Sequence, residues 1–357
     1  MLETVNAATH IKIRQRRIGC GQPVYVVAEM SANHHQDFDR AVRLMTAAKE
    51  CGADAVKLQT YTPETITIRS EREYFRVSGT LWHGRELFDL YAEASTPWEW
   101  HSKLKQVADE LGLDLFSSPF DFTAVDFLET IGVPAYKVAS CELVDLPLIQ
   151  KISRTGKPII ISTGMATIEE IEEAVGAARQ AGATQLALLR CTSAYPAPAS
   201  EMNLRTLPEL ARRFEVPVGL SDHSMEIAVP VAAVALGACI VEKHLTLSRS
   251  QKGPDSAFSL EPAEFKAMVE AVRVAEKSLG EVHFGVAESE CATRIFRRSL
   301  FVVQNVKQGA IFDEVNVRSI RPGHGLHTRY FSQIVGRHAS RDIEPGTPLS
   351  WDLVAGA

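Results

Sequence analysis

Eight short apolar runs, each followed by a stretch of helical length and mixed polarity, dominate the chain between Pro23 and Gly280. Runs that are almost entirely apolar and rich in β-branched residues are typical of parallel strands buried on both faces. The predicted strands span residues 24–28, 55–58, 114–116, 135–138, 159–161, 186–189, 216–220 and 239–241. Eight strand–helix units in roughly 260 residues predict an α/β fold of the (β/α)8 TIM-barrel type. An open doubly wound sheet would usually carry an early Gly-x-Gly-x-x-Gly turn, which the sequence lacks.

Seven helices are predicted between and after these strands. They span residues 37–51, 97–111, 123–131, 167–181, 204–214, 225–236 and 262–279. Thr167 and Glu170 form a capping-box pattern at one helix start, and Pro97 and Pro262 lie where a first helical turn tolerates proline.

The repeating pattern stops before Arg294, where short β-like pieces begin to alternate with turns. Residues 291–357 hold nine Lys and Arg against five Asp and Glu, whereas the whole chain has a formal charge of −6. We predict a barrel domain over residues 1–284, a linker over 285–293 and a small basic β-rich domain over 294–357. The opposite charges favour docking of the small domain on a barrel, its own or that of a neighbouring subunit.

Composition excludes several other classes of protein. Hydrophobic residues make up 45% of the 357 residues, which is ample for a large core and excludes intrinsic disorder. The mild acidity argues against a nucleic-acid partner, because such a partner requires a basic surface. Six scattered cysteines without a Cys-x-x-Cys pair indicate free thiols in a reducing compartment. With no secretory signal and no apolar run long enough to span a bilayer, we expect a cytoplasmic protein without membrane contact.

Polar side chains end or follow every predicted strand. Active sites of TIM barrels are built at the C-terminal ends of the strands and in the loops after them. These positions hold Glu29, Ser31, Asn33, His34, Lys57, Gln59, Ser117, Ser118, Lys137, Ser140, Ser162, Thr163, Thr192, Ser193, Tyr195, Ser221, Asp222, His223, Glu242, Lys243 and His244. A purely structural barrel would not need polar groups at all eight exits, so the sequence predicts an enzyme.

A metal site is predicted at His223 and His244. Both end neighbouring predicted strands, which lie about 5 Å apart in a sheet, so the two imidazoles could share one ion. Either histidine alone would more often be a buried residue satisfied by a neighbour, but the pair at equivalent heights favours a metal. Two imidazoles with carboxylates and substrate oxygens nearby suit octahedral Mn²⁺ or Mg²⁺ better than a closed zinc site.

Lys57 and Lys137 are embedded in apolar predicted strands, although lysine is almost never fully buried unless it is paired. Three interpretations are open: a salt bridge to Glu29 or Glu242, a Schiff-base lysine as in aldolases, and a cradle for an anion. Nearby hydroxyls favour a cradle for phosphate and carboxylate groups. These hydroxyls belong to Ser117, Ser118, Ser140, Ser162 and Thr163.

Two other patterns carry less information. Ser221, Asp222 and His223 resemble a hydrolytic triad, but adjacent residues at the end of one strand point in different directions. Three tryptophans in and after the long insertion behind the second strand are expected to pack, and we assign them no role. They are Trp82, Trp98 and Trp100.

The strand-end motifs taken together resemble the sialic acid synthase family. The motifs are residues 28–34 (AEMSANH), 56–61 (VKLQTY), 116–121 (FSSPFD), 136–140 (YKVAS), 161–165 (ISTGM), 191–196 (CTSAYP), 219–223 (GLSDH) and 242–244 (EKH). The resemblance covers nearly the whole chain, and its C-terminal part is similar to the antifreeze-like (SAF) domain of that family. It therefore implies a TIM barrel followed by a small SAF domain.

The resemblance implies a condensation of phosphoenolpyruvate with an N-acylated aminosugar in its open aldehyde form, releasing phosphate by C–O cleavage. It assigns to His223 and His244 a divalent ion, Mn²⁺ first and Mg²⁺ or Co²⁺ as alternatives, which would polarise the aldehyde. Glu29 would manage protons, and Lys57 and Lys137 would hold anionic groups. The other residues implied to contact substrate or frame its site are Gln59, Ser118, Ser140, Ser162, Ser193, Tyr195, Ser221, Asp255 and Arg321.

Three loop segments are most similar to the branch of this family that makes pseudaminic acid from 2,4-diacetamido-2,4,6-trideoxy-L-altrose. They are residues 60–65 (TYTPET), 81–101 (from LWHGR to WEWH) and 253–262 (GPDSAFSLEP). The sister branches, which make N-acetylneuraminic or legionaminic acid, are the alternatives. Ser193 stands where some sialic acid synthases have asparagine, which bears on the preference for the acyl group.

The resemblance also implies a homodimer in which the C-terminal domain covers the barrel of the partner and Arg321 holds an N-acyl group there. The alternative role for Arg321 is a surface arginine before a Pro-Gly turn. Two other hypotheses are a barrel aldolase with a Schiff base on Lys137 and a carbohydrate- or ice-binding module. The binding module would need a flat Thr-rich repeat, which residues 291–357 lack.

Overall fold

Eight parallel strands form a closed barrel in the computed structural model, which describes residues 10–356. Because two short strands precede them, the barrel strands are β3 to β10. They are β3 (Tyr25–Glu29), β4 (Ala55–Thr60), β5 (Asp114–Pro119), β6 (Tyr136–Val138), β7 (Ile159–Ser162), β8 (Leu186–Cys191), β9 (Val218–Asp222) and β10 (Ile240–His244). Strand β10 pairs with β3 to close the barrel, with His244 opposite Glu29. The predicted TIM barrel is confirmed, and each predicted strand lies within two or three residues of an observed one.

Helices separate the strands of the barrel and cover its outer face. They are α1 (Phe38–Glu50), α2 (Pro63–Ile66), α3 (Leu87–Ala94), α4 (His101–Leu111), α5 (Phe122–Ile131), α6 (Leu146–Ser153), α7 (Ile168–Gln180), α8 (Thr206–Phe214), α9 (Ala228–Ala235) and α10 (Pro262–Leu279). All seven predicted helices are present, and Thr167 caps α7 with the reciprocal bonds expected of a capping box. Helices α2, α3 and α6 were not predicted, because each is at most eight residues long and shows little periodicity.

An antiparallel hairpin closes one end of the barrel, and the sequence analysis did not predict it. Strand β1 (His10–Ile13) pairs with β2 (Arg16–Gly19). Ile11, Ile13 and Ile18 are buried in one cluster with residues of the barrel strands such as Tyr25 and Phe116. This apolar plug leaves the opposite end, where the strands finish, for polar side chains.

The chain divides into two compact units between Gly280 and Glu281. The second unit contains the antiparallel strands β11 (Ser299–Val302) and β12 (Val317–Ile320) and the short helix α11 (Phe331–Ile334). It has an apolar core of its own, in which Leu300 and Phe312 are fully buried. The basic β-rich character predicted for this part of the chain is therefore matched by a separately packed unit.

No helix within residues 10–356 is both long enough and apolar enough to cross a membrane.

Candidate functional site

A cavity of about 370 Å³ opens where the barrel strands end. Side chains from all eight strands or the loops directly after them line it. Those from the polar end of the barrel are Ser31, Lys57, Gln59, Lys137, Ser140, Glu142, Ser162, Cys191, Tyr195, Ser221, His223, Glu242, His244 and Asp255. Most of the predicted site residues are thus brought together in one place.

The two-residue period of β9 and β10 decides which polar side chains enter the cavity. Ser221 and His223 line it, whereas Asp222 between them forms a buried ion pair with Lys243, at 2.6 Å. Lys243 Nζ also donates to the carbonyl oxygen of Ser224. Asp222 therefore lies on the other side of the strand from His223, and the Ser-Asp-His sequence does not form a triad.

The two predicted metal ligands are neighbours, with ring centroids 5.3 Å apart. His223 Nδ1 donates to the carbonyl oxygen of Thr192 at 3.0 Å. Metal-binding histidines usually donate one ring N–H to such a carbonyl, which fixes the tautomer and leaves the other nitrogen for the ion. Burial, followed by the charges of His223 and Lys57, holds the pKa of His244 well below its usual value, so His244 is neutral and able to coordinate.

Two buried polar atoms at this histidine pair lack a hydrogen-bond partner. They are Nδ1 of His244 itself and Oε2 of Glu242 on the same strand. Buried polar atoms are nearly always satisfied, so unsatisfied atoms beside paired imidazoles fit a site that receives a cation. Within residues 10–356, no three His, Cys, Asp or Glu side chains are grouped closely enough to complete a metal centre by themselves. The two imidazoles would therefore leave several coordination positions to water and substrate.

Lys57 lies between two buried carboxylates. Its Nζ is 2.6 Å from Glu29 Oε2 and 3.4 Å from Glu242 Oε1. Burial opposes the charge of Lys57, but Glu242 and Glu29 outweigh it and raise the pKa of the lysine. Burial raises the pKa of Glu29 to about 7, whereas Lys57 and Lys137 outweigh burial at Glu242 and lower its pKa. Two carboxylates with divergent pKa values are the usual arrangement for separate acid and base roles.

Lys137 is fully buried and differs from Lys57 in its partners. Its Nζ donates to Ser162 Oγ at 2.6 Å and to the carbonyl oxygen of Val138 at 2.9 Å. In the described part of the chain no carboxylate lies within ion-pair distance of it. Burial lowers the pKa of Lys137, although the charge of Glu242 acts in the opposite direction. The site therefore contains a buried lysine that no carboxylate contacts directly, although Glu242 acts on it from a longer distance.

Hydroxyl groups and a glycine surround this ammonium group. The backbone N–H of Gly164 donates to Ser140 Oγ at 3.1 Å. A Cβ atom at Gly164 would collide with the hydroxyls of Ser140 and Ser193, so only glycine allows this close approach. Lys137, Ser140 and Ser162 therefore line one wall of the cavity, as a cradle for an anion requires.

The other predicted substrate contacts occupy different positions. Gln59 Nε2 donates to Glu29 Oε1 at 3.3 Å, and Asp255 accepts from the hydroxyl of Ser31 and, at 3.2 Å, from the N–H of Ala32. Three of the residues predicted in the barrel do not line the cavity in the described chain. They are Glu29, which is fully buried against Lys57, Ser118, which accepts from Lys57 Nζ at 3.3 Å, and Ser193, whose hydroxyl is 3.8 Å from Cys191 Sγ.

Arg321 lies in the second unit. It is exposed and follows directly after β12. The peptide bond between Arg321 and Pro322 is cis.

Several cavity residues had no site role predicted from the sequence. Glu242 was named only as a strand-end carboxylate and a possible salt-bridge partner; it lies two residues from His244 on one strand, so the two-residue period that places His244 also places Glu242. Glu142 lines the cavity, burial raises its pKa to about 7, and its Oε2 has no partner. Trp82, to which no role was assigned from the sequence, lines the cavity with its ring centroid 5.5 Å from that of Tyr195. Trp98 and Trp100 do pack, against Phe127 and Phe38 respectively.

Comparisons with known proteins agree with this architecture. Residues 44–284 match the NeuB family, and residues 297–355 match the SAF domain. A pseudaminic acid synthase from Helicobacter pylori is 44% identical over 93% of this chain and 98% of its own length. An N,N'-diacetyllegionaminic acid synthase from Legionella pneumophila is 34% identical over 94% of this chain and 96% of its own.

A solved structure extends the likeness to the fold. The N-acetylneuraminic acid (sialic acid) synthetase from Leptospira borgpetersenii serovar Hardjo-bovis, in complex with citrate, gives a TM-score of 0.71 at 31% identity. The match covers 80% of this chain and 94% of that one. The resemblance inferred from the strand-end motifs is confirmed by these matches. With its barrel and its C-terminal domain both matched, the chain belongs to the NeuB family.

Proposed function

We propose that this protein condenses phosphoenolpyruvate with the open-chain aldehyde of 2,4-diacetamido-2,4,6-trideoxy-L-altrose, giving pseudaminic acid and phosphate. The observation that carries the proposal is the ammonium of Lys137, which no carboxylate contacts, in a hydroxyl-lined wall, in the same cavity as two buried imidazoles. Such a wall favours phosphoenolpyruvate, which carries two anionic groups, a phosphate and a carboxylate. The relatives named pseudaminic acid synthases, at 44% identity, are more similar to this chain than those named legionaminic acid synthases, at 34–35%.

A divalent ion held by His223 and His244, Mn²⁺ in the first place, would supply Lewis-acid polarisation of the aldehyde carbonyl. Side chains of the protein bind and orient phosphoenolpyruvate. Lys137, Ser140 and Ser162 bind the phosphate and carboxylate groups and orient C3 of phosphoenolpyruvate towards the aldehyde. Fixing two reactants in this way removes much of the entropic barrier of a bimolecular step.

The C3=C2 double bond of phosphoenolpyruvate attacks the aldehyde carbon, and the aldehyde oxygen takes a proton to become a hydroxyl. Water then adds to C2, and the C2–O bond to phosphate breaks, which leaves a ketone and inorganic phosphate. We assign the two proton transfers to Glu29 and Glu242. The pKa of Glu29 is raised to about 7, so this carboxyl can donate or accept a proton at neutral pH, whereas the pKa of Glu242 is lowered, which favours its ionised form.

The test of this proposal is phosphate release from phosphoenolpyruvate in the presence of Mn²⁺. Three acceptors are compared: 2,4-diacetamido-2,4,6-trideoxy-L-altrose, its D-mannose counterpart and N-acetylmannosamine. We expect release with the altrose derivative alone. Release with another acceptor would support the proposed reaction but contradict the proposed acceptor sugar. No release with any acceptor from folded, metal-loaded protein would overturn the proposed reaction itself.

We propose further that the protein is a homodimer in which each C-terminal domain covers the barrel of the partner and Arg321 contacts the N-acyl group of the sugar. The exposure of Arg321 and the basic character of its domain support this arrangement. We expect a dimer by size-exclusion chromatography with light scattering at micromolar concentration. Equimolar mixing and refolding of His244→Ala with Arg321→Ala should restore part of the activity, because mixed dimers contain one intact site. A monomeric mass, or no restoration, would contradict the arrangement.

A further inference from the structure

One wall of the cavity is apolar, although the bond-forming and bond-breaking steps of the proposed reaction use only polar groups. The insertion between β4 and α4, residues 63–95, contributes eight lining side chains. They are Ile66, Val77, Thr80, Trp82, Leu87, Leu90, Tyr91 and Ala94. Only Thr80 and Tyr91 carry a hydroxyl, and none is charged, whereas the opposite wall holds Lys57, Lys137 and Glu242. The cavity is therefore polar at the barrel and apolar at the insertion.

Trp82 fixes the position of this apolar wall. Its indole N–H donates to the carbonyl oxygen of Pro254 at 2.8 Å, so the ring offers only its apolar surface to a ligand. Its ring also lies 5.5 Å from Tyr195 and 6.3 Å from Phe258. Tyr195 in turn is 4.4 Å from His223. The apolar wall thus begins one aromatic ring away from the imidazoles.

We propose that this wall, formed by Trp82, Val77, Leu87 and Leu90, is a subsite for the C6 methyl group of a 6-deoxy sugar. The inference deepens the proposed function and rests on it. The aldehyde at C1 must lie at the imidazoles, so the far end of the open chain, C6, extends towards the insertion. A methyl group needs no hydrogen-bond partner there, whereas an acetamido group or a C6 hydroxyl would leave polar atoms unsatisfied.

The subsite predicts discrimination between two sugars that differ by one oxygen atom. The first is the proposed 2,4-diacetamido-2,4,6-trideoxy acceptor, and the second is its analogue with a hydroxyl at C6. We expect kcat/KM to favour the 6-deoxy sugar by about tenfold to hundredfold, the range over which apolar pockets discriminate such pairs. The KM for phosphoenolpyruvate should be the same with either sugar.

Two substitutions test the wall itself. Trp82→Ala should lower kcat/KM for the 6-deoxy sugar about tenfold or more and bring the preference close to one, without changing the KM for phosphoenolpyruvate. Val77→Thr keeps the shape of the side chain but replaces one methyl group with a hydroxyl, so it should shift the preference several-fold towards the 6-hydroxy sugar. The matched control is Tyr74→Ala, because Tyr74 belongs to the same insertion, is 87% exposed and does not line the cavity.

Titration calorimetry of the 6-deoxy sugar against each variant without phosphoenolpyruvate gives a readout independent of turnover, and circular dichroism checks folding. Equal use of both sugars by the unmodified enzyme would overturn the subsite and leave the proposed reaction intact. An unchanged preference in both Val77→Thr and folded Trp82→Ala would also overturn it. Absence of phosphate release with every acceptor would instead overturn the proposed function.

Discussion

Replacing His244 with alanine is expected to lower phosphate release at least about a thousandfold while the fold survives. The substitution removes one of the two imidazoles proposed to hold a divalent ion, and polarisation of a carbonyl by such an ion contributes several kcal/mol of transition-state stabilisation. His244 Nδ1 has no hydrogen-bond partner, so the side chain forms no polar contact through this nitrogen that the fold would lose. Phosphate release and Mn²⁺ binding, measured by calorimetry on the same sample, check the prediction.

A matched control for His244→Ala is His101→Ala. His101 is also fully buried, but its ring bonds to Thr60 Oγ1 at 2.8 Å and it does not line the cavity. We expect His101→Ala to lower the free energy of unfolding and to retain Mn²⁺ binding. Full activity of His244→Ala, or unchanged Mn²⁺ affinity, would contradict the assignment of the metal to His223 and His244.

The barrel and most of the site were predictable from sequence for a single physical reason. Parallel strands buried on both faces are continuous apolar runs, so a charged or polar residue at the end of a run marks the catalytic end of the barrel. His223 and His244 follow this rule, and the structure brings them into one cavity with Lys57 and Lys137, which lie within their strands.

Other features depend on contacts that no local pattern encodes. The hairpin that plugs the barrel carries only three buried isoleucines on two four-residue strands, too few for a periodic signal. Trp82 resembles any packing tryptophan until its hydrogen bond to Pro254, 172 residues away, places its ring in the cavity. Likewise, the sequence shows that Lys57 and Lys137 are both buried, but only the structure shows that one contacts carboxylates and the other does not.

That difference predicts opposite responses to the same substitution. Lys137→Met should raise the free energy of unfolding of the ligand-free protein by about 1–4 kcal/mol, because it replaces a buried lysine that no carboxylate contacts with an apolar side chain of similar length, and the desolvation cost outweighs the longer-range attraction of Glu242. Lys57→Met should instead lower it by about 3–5 kcal/mol, because Glu29 and Glu242 lose the cation between them. Chemical denaturation of the two variants and the unmodified protein, without phosphoenolpyruvate, measures both changes.

The pH dependence of the Lys137→Met effect follows from linkage. The pKa of Lys137 is lower in the folded protein than its usual value of 10.5. Between these two pKa values the side chain is protonated in the unfolded chain and neutral in the folded protein. Stability of the unmodified protein therefore rises with pH through this window, and the advantage of Lys137→Met shrinks as pH approaches 10.5. Comparing the variant with the unmodified protein cancels the titration of all other groups to first order.

Lys137→Met should lower the activity although it raises the stability. Loss of this cation should lower phosphate release about a hundredfold to a thousandfold, the usual effect of removing one preorganised group that binds an anion. The rise in melting temperature that phosphoenolpyruvate gives the unmodified protein should disappear in Lys137→Met. Borohydride should trap no covalent adduct between Lys137 and either substrate, whereas an adduct would favour the aldolase hypothesis. A lysine that binds an anion destabilises the ligand-free fold, and binding of the anion restores that stability. If Lys137→Met were instead destabilised as strongly as Lys57→Met, Lys137 would be a structural residue.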